Sequence, residues 1–387
     1  MPRYRALQIL AVATFLFSVS AETGVPAPQQ MLELDFGNGV FLATGPSEVF
    51  AVSPDALHWR RFRSEFSAQY VKTSFLEDEF GALVGTAKGT LLATSPDGIE
   101  WTIRIPPRKE ALTALVKAKG MYVAAGFLDS GNGVINGAIL TSTNGTEWQT
   151  KYTAPLPVYG LAYGNSVFVA ACGHEGGIFS SDDATTWTQR MPKTTGAYQA
   201  ATFGDGRFVA VGFERESFPQ PNEMASSSDG ITWERRYAAA QGGILTQVCY
   251  GLGLFVASGG RVRTISSDGL SWEGTTLESA WNALAFGNGK FVALSVDDGV
   301  HVSADGRNWQ RAESANLYAP SLTVSTSTTG EAGVNVVLSG RPGKEYALEV
   351  SADFVSWQSI TTGTSSISNS VTLTGERNYL RGKLVQP

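Results

Sequence analysis

The sequence contains few of the residues that most often carry covalent or metal chemistry. Among its 387 residues are only two cysteines and three histidines. Cys172 and Cys249 lie 77 positions apart, so no disulfide framework holds the chain together and its stability must come from core burial. His58, His174 and His301 show none of the short spacings of zinc ligands. The sequence therefore predicts neither a metal site nor a cofactor.

Charged residues are also scarce, at 17% of the chain, and they form no basic stripe that could follow a phosphate backbone. Nucleic acid is therefore excluded as an expected partner. Beyond the N-terminal region, no segment approaches the roughly 20 apolar residues of a membrane-spanning helix. The usual catalytic signatures are missing as well: the sequence has no serine-hydrolase elbow, Walker loop or dinucleotide fingerprint, and its Gly-x-Gly strings are typical of hairpin turns.

The first 21 residues have the pattern of a secretory signal peptide. Arg3 and Arg5 precede an apolar stretch from Ala6 to Phe17, and small residues lead to a cleavage point after Ala21. Its removal leaves 27 basic residues against 35 acidic ones. We expect an exported chain (secreted, periplasmic or on the cell surface) that is monomeric and has no transmembrane span.

What the sequence does contain is a repeat. One short phrase that ends in tryptophan occurs seven times: SPDALHW (53–59), SPDGIEW (95–101), STNGTEW (142–148), SDDATTW (181–187), SSDGITW (227–233), SSDGLSW (266–272) and SADGRNW (303–309). Successive tryptophans are 42, 47, 39, 46, 39 and 37 residues apart. These intervals are typical of propeller repeats.

A second phrase lies upstream of the tryptophans. It reads FGNGVFLATG (36–45), YGNSVFVAACG (163–173), FGDGRFVAVG (203–212), YGLGLFVASG (250–259) and FGNGKFVALS (286–295), with degenerate copies at 75–85 and 117–126. Asn-Gly between two apolar runs predicts a tight hairpin, because both turn positions need positive φ. Each unit then parses into four strands. We interpret the chain as all-β, with a seven-bladed β-propeller over 30–314 whose blades span about 30–64, 67–107, 109–154, 156–192, 195–238, 241–277 and 279–314.

In each tryptophan phrase, the Asp carboxylate is expected to accept backbone N–H bonds, the Gly to supply positive φ, and the indole to fold back onto the sheet. The alternative is that these aspartates bind calcium. Departures from the pattern include Asn144 at the aspartate position and the absence of glycine from SDDATTW.

These phrases resemble the repeats of Asp-box propellers, also called BNR repeats, which occur in sialidases and in non-catalytic exported propellers. The resemblance covers about 285 residues, and the turn is one residue shorter than the usual Ser-x-Asp-x-Gly-x-x-Trp. Similar units are common in secreted bacterial proteins. The resemblance implies membership of the sialidase-like superfamily and bacterial origin, and it says little about a ligand.

The last part of the sequence, 321–387, lacks the second phrase and predicts six short strands in a small β-sandwich module. Such terminal modules resemble attachment or sorting pieces of exported bacterial proteins. The alternative counts SADFVSW, with Trp357, as an eighth blade.

Alignment of the first strands places Tyr70, Tyr198 and Trp281 at one equivalent position near the mouth of the central channel, with Tyr159 one residue out of register. We predict that these four aromatic residues bind a ligand on the face that carries the longer loops; the alternative is that they pack between blades. Glu33, Asp35 and Lys72 interrupt the small residues of the first strands and suggest an ion pair inside the channel.

The predicted function is therefore binding of a protein or a carbohydrate on the loop face, without catalysis. One alternative is a sialidase-like glycoside hydrolase, which would need an arginine cluster and a tyrosine nucleophile activated by glutamate. Arg104-Ile105-Pro106 repeats the Arg-Ile-Pro of that family, at a different place in the chain. A second alternative is a scaffold for assembling other exported proteins.

Overall fold

The described residues of the computed structural model form 32 β-strands. The residues it describes are 33–45, 49–63, 66, 70–129, 135–173, 177–191, 196–214, 221–241, 243–295, 299–312, 321–326, 333–339, 345–351, 358–364, 366–372 and 379–384. The predicted signal peptide lies outside these residues. Among them, no helix has the length and apolar character that crossing a bilayer requires.

Twenty strands form five antiparallel four-stranded sheets, each in simple chain order. Sheet 1 holds β1 (Glu33–Gly37), β2 (Val40–Thr44), β3 (Val49–Ser53) and β4 (Arg60–Arg63). Sheet 2 holds β5 (Tyr70–Leu76), β6 (Glu79–Thr86), β7 (Gly89–Ser95) and β8 (Thr102–Arg108). Sheet 3 holds β9 (Ala111–Ala118), β10 (Met121–Asp129), β11 (Ile135–Ser142) and β12 (Gln149–Ala154). Sheet 4 holds β13 (Val158–Gly164), β14 (Val167–Cys172), β15 (Ile178–Ser181) and β16 (Thr188–Gln189). Sheet 5 holds β17 (Gly196–Gly204), β18 (Arg207–Glu214), β19 (Pro221–Ser227) and β20 (Glu234–Gln241).

The sixth sheet has six strands and contains both of the last two sequence repeats. Its strands are β21 (Gln247–Gly251), β22 (Leu254–Ser266), β23 (Glu273–Gly287), β24 (Lys290–Ser295), β25 (Gly299–Ser303) and β26 (Gln310–Arg311). The prediction of seven blades, each a separate sheet, is therefore wrong, since the described residues of the propeller form six sheets. The physical reason is that β22 and β23 run on without interruption, and Gly260 pairs with Trp281 across what was predicted to be a boundary between blades.

The first strands of the repeats lie side by side in a closed ring: β1, β5, β9, β13, β17, β21 and the second half of β23, which returns to β1. Small residues permit this close approach. Gly287 receives the ring of Phe36, and a Cβ added at Gly287 would stand 2.0 Å from the phenyl Cγ. The same glycine–aromatic contact joins Gly37 to Phe75.

The tryptophan phrases, called corners from here on, form as predicted. In the corner of repeat 5, the Asp229 carboxylate accepts the backbone N–H groups of Ile231 and Thr232, both at 2.7 Å, and the hydroxyl of Ser227 at 2.9 Å. The Trp233 indole N–H donates to the carbonyl of Gly230 at 3.1 Å. These bonds lower the pKa of Asp229 to about 2, with the backbone bond from Thr232 as the largest cause. The corner is therefore explained by folding alone.

A second set of bonds joins neighbouring repeats through the inner turn, defined here as the two residues between the first and second strands of a repeat. The Asn38 side chain donates to the carbonyls of Asp78 and Pro96, both at 2.8 Å. The first acceptor is the inner turn of the next repeat, and the second is its corner. Asn288 donates in the same way to Gly39 and Pro54, at 3.1 and 2.7 Å, and so joins the last repeat to the first.

The described part of the chain divides into two compact units, one within 29–57 and 63–315 and the other within 58–62 and 316–387. In the second unit, the described residues from 321 onward form six strands in two antiparallel three-stranded sheets. These are β27 (Ser321–Thr326), β28 (Gly333–Ser339) and β31 (Ser366–Thr372) in one sheet, and β30 (Gln358–Thr364), β29 (Glu345–Ser351) and β32 (Tyr379–Leu384) in the other. The sandwich stays a prediction, and Trp357 lies outside the described residues.

Candidate binding face

The antiparallel meander gives the propeller two different faces. Inner turns and corners lie on one, called the tight-turn face. The starts of the first strands and the connections between second and third strands lie on the other, called the loop face. The hairpin of β10 and β11 extends furthest on the loop face, where its last rung joins Asp129 and Ile135. The hairpin of β6 and β7 and that of β18 and β19 come next, and the latter pairs out to Phe213 and Asn222. Repeat 4 has a shorter hairpin, with a last rung between Ala171 and Ile178.

Large apolar side chains are exposed on and beside these hairpins. Leu128 and Ile135, on the tall hairpin of repeat 3, are 36% and 47% exposed. Tyr237 and Ile244, on the fourth strand of repeat 5 and the link that follows it, are 51% and 39% exposed. Sequence reasoning missed these four residues. The available signal was the interval of 47 residues between Trp101 and Trp148, the longest of the six, which contains Leu128 and Ile135.

The register places two of the three aligned aromatic residues on one rung. Tyr198 pairs with Gly212 and Trp281 with Ser295, whereas Tyr70 pairs with Gly85, which is one rung further out. The difference arises because a β-bulge follows Tyr198 and Trp281 but not Tyr70. Tyr159 itself occupies the equivalent bulge in repeat 4, between the rungs of Val158 and Gly160.

Tyr70 and Tyr159 are half-buried. The ring of Tyr70 lies on Gly85, and its hydroxyl is 2.8 Å from the Thr90 hydroxyl. The ring of Tyr159 lies on Gly173, where an added Cβ would stand 2.1 Å from a ring carbon. Both rings are therefore fixed against glycine backbone at the loop face.

Tyr198 and Trp281, by contrast, are buried, at 0% and 2% exposure. Trp281 packs on Trp309, with ring centroids 4.4 Å apart, and on His301 at 5.4 Å. The four aromatic residues therefore do not form one open patch, because two of them pack inside the sheets. The role of the four in binding stays a prediction.

The predicted ion pair in the channel is present. The Lys72 ammonium, on β5, donates to the Glu33 carboxylate, on β1, and so bridges two first strands. Asp35 follows Glu33 on the same side of β1 and accepts the N–H of Phe36 at 2.8 Å. Burial raises the pKa of Asp35 to about 7 and also raises the pKa of Glu33.

The features that a sialidase would need are not assembled among the described residues. Repeat 5 does hold a tyrosine–glutamate pair: the Tyr198 hydroxyl donates to Glu223 at 2.8 Å, and Arg235 stands 3.5 Å from the same oxygen. Burial raises the pKa of Tyr198 far above its ordinary value, the opposite of what an activated nucleophile requires. Arg236 pairs with Glu234 instead of joining Arg235.

The arginine of the Arg-Ile-Pro phrase is held by its own sheet. Arg104 donates from Nε to the Thr94 hydroxyl at 2.8 Å and stands 3.6 Å from Glu79. Both cysteines are desolvated, which raises the pKa of Cys172 to about 12 and raises that of Cys249 further. Neutral thiols of this kind are poor nucleophiles. Within the described ranges, no three His, Cys, Asp or Glu side chains group closely enough to hold a metal ion.

No family model matches the sequence. No curated protein matches it either. Solved structures do: a structure of YCF48 bound to D1 peptide has a TM-score of 0.53 at 16% identity, over 72% of this chain and 94% of that one. Virginiamycin B lyase from Staphylococcus aureus gives 0.56 at 10% identity over 70% and 92%, and the WD40 β-propeller domain of Doa1 gives 0.53 at 10% over 75% and 96%. The chain is an all-β propeller. Identities this low show the fold alone.

Proposed function

We propose that this chain is a non-catalytic propeller that binds an extended segment of another protein on its loop face. The observation that carries the proposal is the exposure of Leu128, Ile135, Tyr237 and Ile244 on that face. Exposed apolar groups beside rigid hairpins are the usual components of a protein-binding surface. The structure of YCF48 bound to D1 peptide supports it as a precedent, since a propeller of similar fold is described there with a peptide.

Within this proposal, the four predicted aromatic residues have two different roles. Tyr70 and Tyr159 contact the bound segment, because their half-buried rings lie at the loop face and are fixed on Gly85 and Gly173. Tyr198 and Trp281 support that surface from below, because both are buried. A glycan is the second candidate ligand, favoured by the half-buried aromatic rings of Tyr70 and Tyr159 at the loop face, since aromatic rings suit stacking on a sugar face.

The finer features of the architecture belong to the same proposal. The six-stranded sheet serves as two blades, because its two halves contain a complete inner turn and corner each, at Leu252 and Asp268 and at Asn288 and Asp305. The repeats are a shortened Asp-box type, the two terminal three-stranded sheets pack as a sandwich, and residues 1–21 direct export.

The proposal is tested with a phage-displayed random peptide library and a glycan array, both probed with the complete mature chain. We expect enrichment of apolar peptides, and loss of binding in a Leu128→Asp, Ile135→Asp double variant. Leu252→Asp is the matched control, since Leu252 is 58% exposed on the tight-turn face. Binding of the same peptides by the double variant with unchanged affinity would refute the location. If the chain binds glycans and no peptides, and Tyr159→Ala abolishes glycan binding, the ligand is a carbohydrate and not a protein.

A further inference from the structure

A row of cross-strand neighbours crosses sheet 5 near the loop face. The pairing of β17, β18, β19 and β20 places one residue of each strand in this row: Tyr198, Gly212, Glu223 and Tyr237. Neighbours across a rung point their side chains to the same side of the sheet. Because Gly212 has no side chain, the Tyr198 hydroxyl reaches across it and donates to the Glu223 carboxylate at 2.8 Å.

A similar row in repeat 2 has no charge. Tyr70 pairs with Gly85, and Gly85 pairs with Thr90. The Tyr70 hydroxyl lies 2.8 Å from the Thr90 hydroxyl, so a neutral group on the third strand is enough to satisfy the tyrosine. The negative charge of Glu223 is therefore not needed as a partner for Tyr198.

What the Glu223 carboxylate adds is a contact with Arg235. The Arg235 Nε stands 3.5 Å from the same Oε1 to which Tyr198 donates. Burial is the main cause of the raised pKa of Glu223, so the charged carboxylate is kept at a cost to folding. Carboxylates in such surroundings, beside a specific charged partner, are concentrated at functional sites.

The positive member of this pair is the one that a ligand can reach. The Glu223 side chain is 1% exposed, whereas that of Arg235 is 36% exposed. Among the residues that the structure describes, none accepts a hydrogen bond from the two terminal amino groups of Arg235. The end of the guanidinium is therefore available to a ligand, while its Nε faces Glu223.

Arg235 also lies beside a residue of the proposed binding surface. Tyr237 follows it by two positions on β20, so both side chains point to the same side of the strand, about 7 Å apart along it. Tyr237 is 51% exposed. An extended segment has the same spacing, so two of its residues separated by one position can contact Arg235 and Tyr237 together.

We propose that Arg235 is the anchor for a carboxylate of the bound segment, which carries an aspartate or glutamate two positions from an apolar residue. This inference rests on the proposed function and adds the chemistry of the partner. The free end of a guanidinium matches a carboxylate through parallel N–H···O bonds, and Arg is preferred over Lys for this reason. Glu223 is a positioning residue, because it limits the rotation of the arginine side chain.

The test is an array of immobilised peptides probed with the complete mature chain. The peptides share apolar sequences and differ at one position, two residues from an apolar one, where glutamate, glutamine or lysine stands. We expect the glutamate forms to bind about fivefold tighter than the glutamine forms, which is the upper part of the range for a partly exposed ion pair.

The variants separate the anchor from the fold. The double variant Glu223→Thr, Arg235→Gln copies the neutral row of repeat 2, so it leaves no buried charge without a partner and should lose the preference for glutamate. In Glu223→Thr alone the guanidinium remains, and with it a preference for glutamate. Arg307→Gln is the matched control, because Arg307 pairs with Glu273 at 3.1 Å, is 48% exposed, and lies in a corner on the tight-turn face.

Each outcome bears on the anchor. A preference that is lost in the double variant and kept in Glu223→Thr and Arg307→Gln supports it. An equal loss in Arg307→Gln would assign the preference to general surface charge. Equal binding of glutamate and glutamine forms by the wild type, or a preference for lysine, would overturn the anchor and leave the proposed function standing. Binding of no peptide at all would overturn both.

Discussion

Asn288 holds the two ends of the propeller together, and its removal gives a quantitative prediction. Its amide donates two bonds to carbonyls of the first repeat, 249 and 234 residues away in sequence. Asn288→Asp keeps a residue that tolerates positive φ and removes the donor. A typical intramolecular hydrogen bond contributes about 0.5–1.5 kcal/mol net, so the loss of both should lower the free energy of unfolding by about 1–3 kcal/mol.

Introducing an asparagine into an inner turn that lacks a donor should stabilise the protein. Leu252 occupies the equivalent place in repeat 6, with φ of 50° and 58% of its surface exposed. A bulky apolar side chain is unfavourable there for two reasons: the backbone has positive φ, and the side chain is exposed to water. Leu252→Asn should add bonds to the carbonyls of Gly289 and Ala304 and relieve the strain, with a gain of about 1–2 kcal/mol.

The assay is equilibrium unfolding in guanidinium chloride with chelator present, followed by tryptophan fluorescence, with the m-value as a check on two-state behaviour. Asn308→Ala is the control, because the Asn308 side chain bonds only within its own corner, to Asp305 at 2.7 Å. The reasoning is refuted if Asn288→Asp costs no more than Asn308→Ala, or if Leu252→Asn destabilises.

Three further predictions concern packing and charge. Gly287→Ala should destabilise by about 2–4 kcal/mol in calorimetry, because its Cβ would overlap the Phe36 ring; a cost under about 0.5 kcal/mol would contradict the contact. Tyr198→Phe should cost about 1–3 kcal/mol in urea unfolding, because it removes the hydroxyl that donates to the buried Glu223 carboxylate and leaves that carboxylate with Arg235; no cost would contradict that bond. Burial raises the pKa of Asp35 to about 7 from 3.8, so its protonated form favours folding and this stability is lost as pH rises from about 4 to 7. Asp35→Asn should remove that loss, and its advantage over wild type in urea unfolding should grow from pH 5 to pH 8 to at most about 4 kcal/mol; an equal pH dependence in both proteins would contradict it.

The order of strands and turns in the propeller could be predicted because the same turn-forming residues recur in each repeat. The inner turn at Asn288-Gly289 and the corner at Asp305-Gly306 each need positive φ at defined places, and the residues that tolerate it stand there. Registers then follow from the two turns. These signals act between residues that are close in sequence, so the strands of all seven repeats can be predicted in the same way as those of one.

The number of sheets could not be predicted in the same way. Whether two repeats share a sheet depends on one rung between Gly260 and Trp281, and no local phrase marks it. The predicted boundary near 277–279 lies within β23, where the chain continues as extended strand from one repeat into the next. Strand continuity of this kind is a property of the neighbouring backbone rather than of residue type.

The binding residues were only partly predictable for a related reason. Sequence alignment placed Tyr70, Tyr198 and Trp281 at one position, and the structure puts only Tyr198 and Trp281 on the same rung, because a β-bulge follows each of them and none follows Tyr70. Exposure is decided by what packs above each ring. Met191 and Glu223 cover Tyr198, with the Tyr198 hydroxyl 3.1 Å from the Met191 sulfur and 2.8 Å from the carboxylate. Such contacts come from other strands and leave no trace in the spacing.

Residues that recur at the same position in every repeat are explained by folding. Residues with a specific function are therefore expected where one repeat differs from the others. Asn144 shows this for the corners: its amide oxygen accepts the N–H groups of Thr146 and Glu147 at 3.0 and 2.9 Å, the same bonds that aspartates make elsewhere. Its substitution changes charge and leaves the fold intact. Leu252 differs from it, because it stands where Asn288 donates in the next repeat and supplies no donor of its own, which is why Leu252→Asn is expected to stabilise the fold.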